Sequence, residues 1–292
     1  MHRKRTRTDG AAALHDAAVD YAAAGWQVFP LSTRGGRKAP LFPSPHDGPG
    51  HGCHGQCGRL GHGFYDATSD PDTVSQWWTR HPNAVIGGRI AHHLLVLDVD
   101  RHGGGEDTLQ FFEAAYHPLP ATLTCYSGRG DGGRHLYWLR PPTPGWRLSG
   151  AKLRPGIDLI HHTLRYVVLP PSSHPKTGQP YWWDDPTVTP AEPPAWLAAL
   201  VTPPRSQPVS TFTRTASNGV AALVGHVRRL SPEEGTGRHD TVLWALCEAY
   251  EAGAGEADIE AICQAAVSVG KPRHEVDAMR AWAAAKFVGG TP

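Results

Sequence analysis

The chain predicts an α+β fold followed by a small helical bundle. Three observations carry that prediction. Short apolar runs alternate with helix-period segments as far as residue 200, and the strongest run, Leu94 to Val99 (LLVLDV), has the length and branching of a buried strand. Composition then shifts to Pro, Ser and Thr between Thr187 and Asn218, as in linkers. Residues 220–288 show no strand pattern. The expected organisation is 1–200, a linker over 201–218, and a helical part over 219–292.

The elements follow in order. Residues 11–24 are Ala-rich with apolar positions at helical spacing, and Gly25 is a natural stop. Trp26 to Leu31 reads as a first strand, whereas 32–63 is rich in Gly, Pro and His and has no period. So long a loop needs something to pin it. Asp70 to Arg80 predicts a helix capped by Asp70 with Pro71 in its first turn. Ala84 to Ile86 is a short strand ending in Gly87-Gly88, and Gly105 to Tyr116 is a helix after the LLVLDV strand. Thr122 to Tyr126 and His135 to Leu139 form a strand pair around a Gly/Arg turn; Ile157 to Ile160 and Tyr166 to Leu169 form another. Four helices are expected at 220–230, 239–252, 256–269 and 273–287.

Composition narrows the function. The formal net charge is +1, with Lys+Arg 28 against Asp+Glu 27, so a bulk polycation is excluded and nucleic-acid binding needs a local patch. Such a patch exists: Ser127 to Arg154 holds six Lys/Arg against one Asp. No apolar run reaches membrane-spanning length, the basic start is not followed by a secretory core, and five cysteines make no disulfide framework. A reducing cytoplasm with no membrane partner is expected. The phosphate-cradling pattern GxxxxGK[ST] is absent, and no GxGxxG follows the first strand.

Asp98 and Asp100, two residues apart at the end of LLVLDVD, fall on one strand face. Paired carboxylates suit Mg²⁺ or Mn²⁺, which prefer hard oxygen ligands, and two such ions can clamp both ends of a phosphoryl transfer. The alternative is solvated acids, or a cap on the turn at Arg101-His102-Gly103. Asp158, inside KLRPGIDLI, is an acid in a short apolar strand and needs a cation or strong donors unless it faces water. In SGRGDGGRHLYW, a Gly-rich turn exposes N–H groups while Arg129 and Arg134 offer guanidinium forks, and His135 begins the next strand. The alternative there is a surface hairpin. Ser172, Ser173, His174 and Lys176 sit just past a strand, where they either contact phosphates or form an ordinary turn.

His46, His51, Cys53, His54, Cys57 and His62 crowd into 17 residues. The expected Zn²⁺ set is His51, Cys53, Cys57 and His62, with His46 or His54 as substitute for His51. A structural ion there would order the loop; the alternative is a loop with no ion. Cys125, Cys247 and Cys263 lie in apolar contexts and are expected as buried thiols.

In order, helix–GWQVFPL, Lys38-Ala39-Pro40, GHGFYDATSDPDTVSQWW, LLVLDVD, SGRGDGGRHLYW, PGIDLI and YVVLPPSSHP resemble the N-terminal domain of bifunctional DNA primase/polymerases (prim-pol), of the archaeo-eukaryotic primase superfamily. The resemblance spans about residues 11–200. It implies an RRM-like sheet joined to a second α/β lobe, with the site between them. It also implies that Asp98, Asp100 and Asp158 bind two divalent metals, and that His135 contacts the incoming nucleotide's phosphates. Arg129, Arg134, Lys152, Ser172 and His174 would complete nucleotide binding. Related primases often carry a zinc-binding element, and residues 234–288 look like the helical module that often follows. The implied activity is template-directed nucleotidyl transfer as DNA primase or polymerase. Its partners are single-stranded DNA template, primer, NTP or dNTP and a separate helicase, in the replication of a mobile element. Two other classes compete: a metal-dependent nuclease or phosphohydrolase on the same acids, and a non-catalytic DNA-binding replication module.

Overall fold

The computed structural model describes residues 7–47, 52–140, 152–202, 216–230 and 237–287. The body of the expected linker and His51 lie outside these residues. In chain order the elements are α1 (Arg7–Ala23), β1 (Gln27–Ser32), β2 (Ala39–Pro40), α2 (Pro71–Arg80), β3 (Val85–Arg89), β4 (Leu94–Val99), α3 (Gly105–Ala115), β5 (Thr124–Tyr126), β6 (Arg134–Leu139), β7 (Lys152–Arg154), β8 (Ile157–Ile160), β9 (Val167–Val168), β10 (Trp182–Trp183), α4 (Ala195–Val201), α5 (Ala216–Arg228), α6 (Gly237–Glu251), α7 (Glu256–Ser268) and α8 (Arg273–Phe287). This is the mixed α+β content the sequence predicts. Among the described residues, no helix is long and apolar enough to cross a membrane.

One sheet has the order β2-β1-β3-β9 and the other β10-β5-β6-β4-β8-β7. The pairs β1–β2, β1–β3, β3–β9, β5–β10, β5–β6 and β7–β8 are antiparallel. The chain forms two compact units: Met1–Leu97 with Ala121–Pro142 and Leu159–Glu192, and Asp98–Pro120 with Thr143–Asp158 and Pro193–Pro292.

In the first unit, α2 starts where Asp70 accepts from the Thr73 N–H and Pro71 occupies the first turn. The helix buries Val74, Trp77 and Trp78, and the Trp78 indole donates to the Ala84 carbonyl at 3.0 Å. Truncating a buried Trp of this kind costs about 3–5 kcal/mol. The apolar cluster continues through Phe29, Leu31, Ile86, Leu94, Val96, Tyr137, Ile160 and Leu169. β3 runs on through Gly87 and Gly88 instead of stopping there. A Cβ at Gly87 would meet the Phe29 ring at 2.9 Å and one at Gly88 would meet Leu169 at 2.9 Å, so the missing side chains make room for neighbours.

In the second unit, α3 buries Leu109, Phe111 and Phe112. Phe112 stacks on Trp196 of α4, and Phe111 meets Trp244 of α6 edge-on. Arg154 of β7 pairs with Glu248 of α6 at 3.1 Å, and the Trp244 indole donates to the same carboxylate at 3.0 Å. α4, β7 and β10 have no sequence period of their own; each is too short to show one and is set by its partners. Cys125 and Cys263 are buried and burial pushes both thiols up, whereas Cys247 is only half-buried.

Candidate metal centres and nucleotide-binding groups

The Cys/His loop of the first unit brings together His46, Cys53, Cys57 and His62, whose ligand atoms all lie within 4.8 Å of one another. His46 and His62 present Nε2 atoms 3.1 Å apart, and Cys57 Sγ lies 3.3 Å from His62 Nε2 and 3.5 Å from His46 Nε2. Tetrahedral zinc, with Zn–N near 2.0–2.1 Å and Zn–S near 2.3 Å, sets its ligand atoms roughly 3.3–3.8 Å apart, so the spacing suits such an ion. His46, a named substitute, is the fourth member among the described residues, and His51 lies outside them; His54 instead stacks on Tyr65 at 4.2 Å.

His62 is buried, and its orientation is fixed from behind. Asp66 accepts from the backbone N–H groups of Gly61 and His62 at 2.7 and 2.9 Å, and its other oxygen lies 3.3 Å from His62 Nδ1. With Nδ1–H donating to the carboxylate, Nε2 keeps its lone pair for the cluster, the usual arrangement behind a metal-binding histidine. Backbone N–H groups, first that of Cys57, pull the Cys53 thiol down to about 6, which favours the thiolate. Among the described residues, this is the one set of three or more His, Cys, Asp or Glu whose ligand atoms converge in this way.

The acids belong to the second unit. Alternation along β4 sets Asp98 on the face of Leu94 and Val96, and alternation along β8 sets Asp158 on the face of Ile160; all three apolar residues belong to one cluster. β4 and β8 are neighbours. Asp98 and Asp158 therefore continue one sheet face past its apolar part, and both are half-buried. Asp100 Oδ1 accepts from the His102 N–H at 3.2 Å, so the turn-capping role considered for it is present. Lys152 stands directly opposite Asp158 in the β7–β8 register, which puts a cation on the carboxylate's own face.

Backbone contacts hold these acids in place. The Asp100 N–H donates to the Gly156 carbonyl at 2.8 Å, and the Thr108 hydroxyl donates to the Pro155 carbonyl at 2.9 Å. A Cβ on Gly156 would lie 2.1 Å from Gly105 N, and one on Gly105 would lie 2.2 Å from Gly156 O. The turn after β4 and the turn before β8 thus approach most closely where Gly105 meets Gly156, and neither position has room for a side chain.

The first unit gathers cationic and histidine side chains around the buried Tyr181. Lys38 Nζ donates to the Tyr181 hydroxyl at 2.9 Å, and the rings of His135 and His174 lie 6.4 and 6.1 Å from the Tyr181 ring. Burial first, then Lys38, Arg129 and Lys176, lowers the pKa of His174. Its Nδ1 accepts from the Lys176 N–H at 3.4 Å, so the neutral ring carries its proton on Nε2. His174 also borders a cavity of about 570 Å³ with Thr33, Asn83, Ser173 and Leu14, within the range of small-ligand clefts. Lys38 and Tyr181 meet only in the fold, and the Lys38-Ala39-Pro40 tripeptide is the one local signal for either.

Ser172 and Arg134, the other expected nucleotide contacts, are placed as follows. Ser172 is fully buried, and its hydroxyl accepts from the Ile86 N–H at 2.8 Å. Arg134 and His135 are consecutive on β6, so they point to opposite faces; His135 shares the inner face with Tyr137.

No curated protein matches the chain. Residues 18–196, more than half of the sequence, match the family model described as bifunctional DNA primase/polymerase, N-terminal. The match contains the three acids, His135, the Tyr181 surroundings and the four Cys and His residues of the loop cluster. Primase or polymerase activity, with DNA and nucleotides as substrates and dependence on metal, goes with that family. The chain belongs to the bifunctional DNA primase/polymerase family, through its N-terminal domain.

Proposed function

We propose that this chain performs template-directed nucleotidyl transfer by two-metal-ion catalysis, with Asp98, Asp100 and Asp158 as the ligands of two Mg²⁺ or Mn²⁺ ions. One observation carries the reading: within a primase/polymerase match, Asp98 and Asp158 end adjacent strands on one face. Hard carboxylate oxygens are the donor set such ions take. When bound, these ions supply the Lewis acidity that activates the primer 3′-hydroxyl and steadies the departing pyrophosphate. Lys152, across from Asp158, offsets part of the negative charge that three acids concentrate. No side chain need act as general base, because phosphoryl transfer relies mainly on positioning and charge.

His135, His174, Lys38 and Arg129 are the proposed donors to the triphosphate oxygens. A neutral His174 donates from Nε2, and Lys38 reaches the same region held by Tyr181. Ser172 acts indirectly by fixing Ile86, and through it β3. The loop set His46, Cys53, Cys57 and His62 is proposed to hold one structural Zn²⁺, since its S and N donors and their spacing suit that ion. The motif order supports the primase-type fold of an RRM-like sheet with a second α/β lobe. It also supports a cytoplasmic role in replicating a mobile element beside a separate helicase.

The test is primer extension with labelled primer-template and unprimed strands, each nucleotide type, and Mg²⁺ or Mn²⁺. Asp98→Asn is expected to lower incorporation at least about a hundredfold, as losing a group that stabilises transition-state charge does, while DNA binding persists. Shortening of the DNA without nucleotides would assign a nuclease instead; binding without any metal response would assign a silent module.

A further inference from the structure

We infer that the outer row Trp182–Tyr126–Arg134 of the six-stranded sheet is a platform for single-stranded DNA, stacking its bases and contacting a phosphate. The inference rests on the proposed nucleotidyl transfer for the identity of the polymer. Register defines the row: Trp182 pairs with Tyr126 across β10–β5, and Tyr126 pairs with Arg134 across β5–β6. Directly paired residues on adjacent strands share a face. The three side chains therefore line up across three strands, aromatic, aromatic, guanidinium.

The next row shows how different this one is. Trp183, Cys125 and His135 are paired in the same way one residue along, and they face inward. Cys125 is fully buried, and the Trp183 indole donates to the Tyr21 hydroxyl at 2.8 Å. Trp183 thus does the structural work of the Trp pair. Trp182 is 48% exposed and lies flat on Tyr126, with ring centroids 4.4 Å apart and planes 17° apart. A sheet edge is ordinarily protected by charge, Pro or a bulge, not by an indole with half its surface in water. Two stacked rings beside a guanidinium offer what a single strand needs: an outer π-face on which any base can continue the stack, and a cation for its backbone. Because β6 alternates, this row lies on the face opposite to His135 and Tyr181, so it is separate from the proposed triphosphate donors. It suits a stretch of single strand.

The test uses the full chain and a fluorescently labelled oligo-dT, with binding followed by anisotropy over a range of salt. Trp182→Ala is expected to weaken binding about fivefold to a hundredfold, the effect of losing one base stack. Trp182→Phe should restore most of the affinity, and Trp282→Ala, which removes an indole 53% exposed on α8, should change nothing. Arg134→Gln should reduce the salt slope by about 0.7, one phosphate contact on a single strand. Unchanged thermal midpoints exclude misfolding as the cause. If the wild type binds and Trp182→Ala binds equally well, or if the wild type does not bind, the platform is overturned. If Trp182→Ala weakens binding but the wild type never extends a primer, the platform stands and the proposed activity falls.

Discussion

The Cys/His loop gathers its ligand atoms with almost no regular structure, whereas Asp98 and Asp158 ride on strands whose turns are locked backbone to backbone. In the loop, Cys57 is exposed and Leu60 is 47% exposed, so apolar burial holds little of it in place. Yet two imidazole nitrogens and a sulfur stand within 3.5 Å of one another. Groups rich in lone pairs repel at that range unless protons or a cation lie between them. At the acids the order is reversed. The Gly105–Gly156 contact and the Asp100 N–H to Gly156 hydrogen bond fix the backbone that carries the proposed acidic ligands. The contrast is between a proposed zinc site, where an ion would supply folding energy, and proposed acidic ligands carried on a backbone that the fold already fixes.

The largest effect that can break this contrast is metal removal. Structural zinc sites contribute on the order of 10 kcal/mol at neutral pH. Purified protein is expected to carry one zinc per chain by elemental analysis, and Cys57→Ser or a strong chelator should bring it close to zero. Residues 46–62 should then become sensitive to protease, while Asp98→Asn keeps its zinc. Protein without zinc whose loop resists protease would show that the loop holds itself together.

The same contrast explains what was legible in the sequence. The acidic strand was readable because four apolar residues in a row specify a buried strand locally, and period two then places Asp98. Cys53, Cys57 and His62 were readable as residue types, but the fourth ligand was not. His46 stands on a Gly/Pro-rich chain with no period, and only the path of the loop brings it to the cluster. Asp66 looked like any acid in a short turn. Lys38 and Tyr181 are 143 positions apart, so nothing local joins them. Ser172 resembled a phosphate contact by type, and its burial against Ile86 is a tertiary fact. The opposite facing of Arg134 and His135 follows from alternation along β6 alone.

A smaller effect probes the locked acids. Gly156 has φ +66°, where a Cβ is strained, and a Cβ there would fall 2.1 Å from backbone rather than from a side chain that could swing away. Gly156→Ala is expected to cost about 3–5 kcal/mol, in the range of severe single substitutions. Thermal unfolding should show it as a lower midpoint, with zinc content still at one equivalent. A change under about 1 kcal/mol would mean that the two turns are free to part, and the claim of a fixed backbone beneath the acids would fail.

The smallest effect sharpens the loop side. Asp66→Asn keeps one oxygen that can accept from the Gly61 and His62 N–H groups, but it removes the charge facing His62 Nδ1. The imidazole becomes a poorer donor to the ion, and its orientation loosens. Losing such a partner weakens metal affinity about tenfold to a hundredfold, roughly 1.4–2.7 kcal/mol. Competition against a chromophoric chelator measures this directly. Unaltered affinity would show that Asp66 serves only the backbone turn, and that His46, Cys53 and Cys57 already fix the site without it.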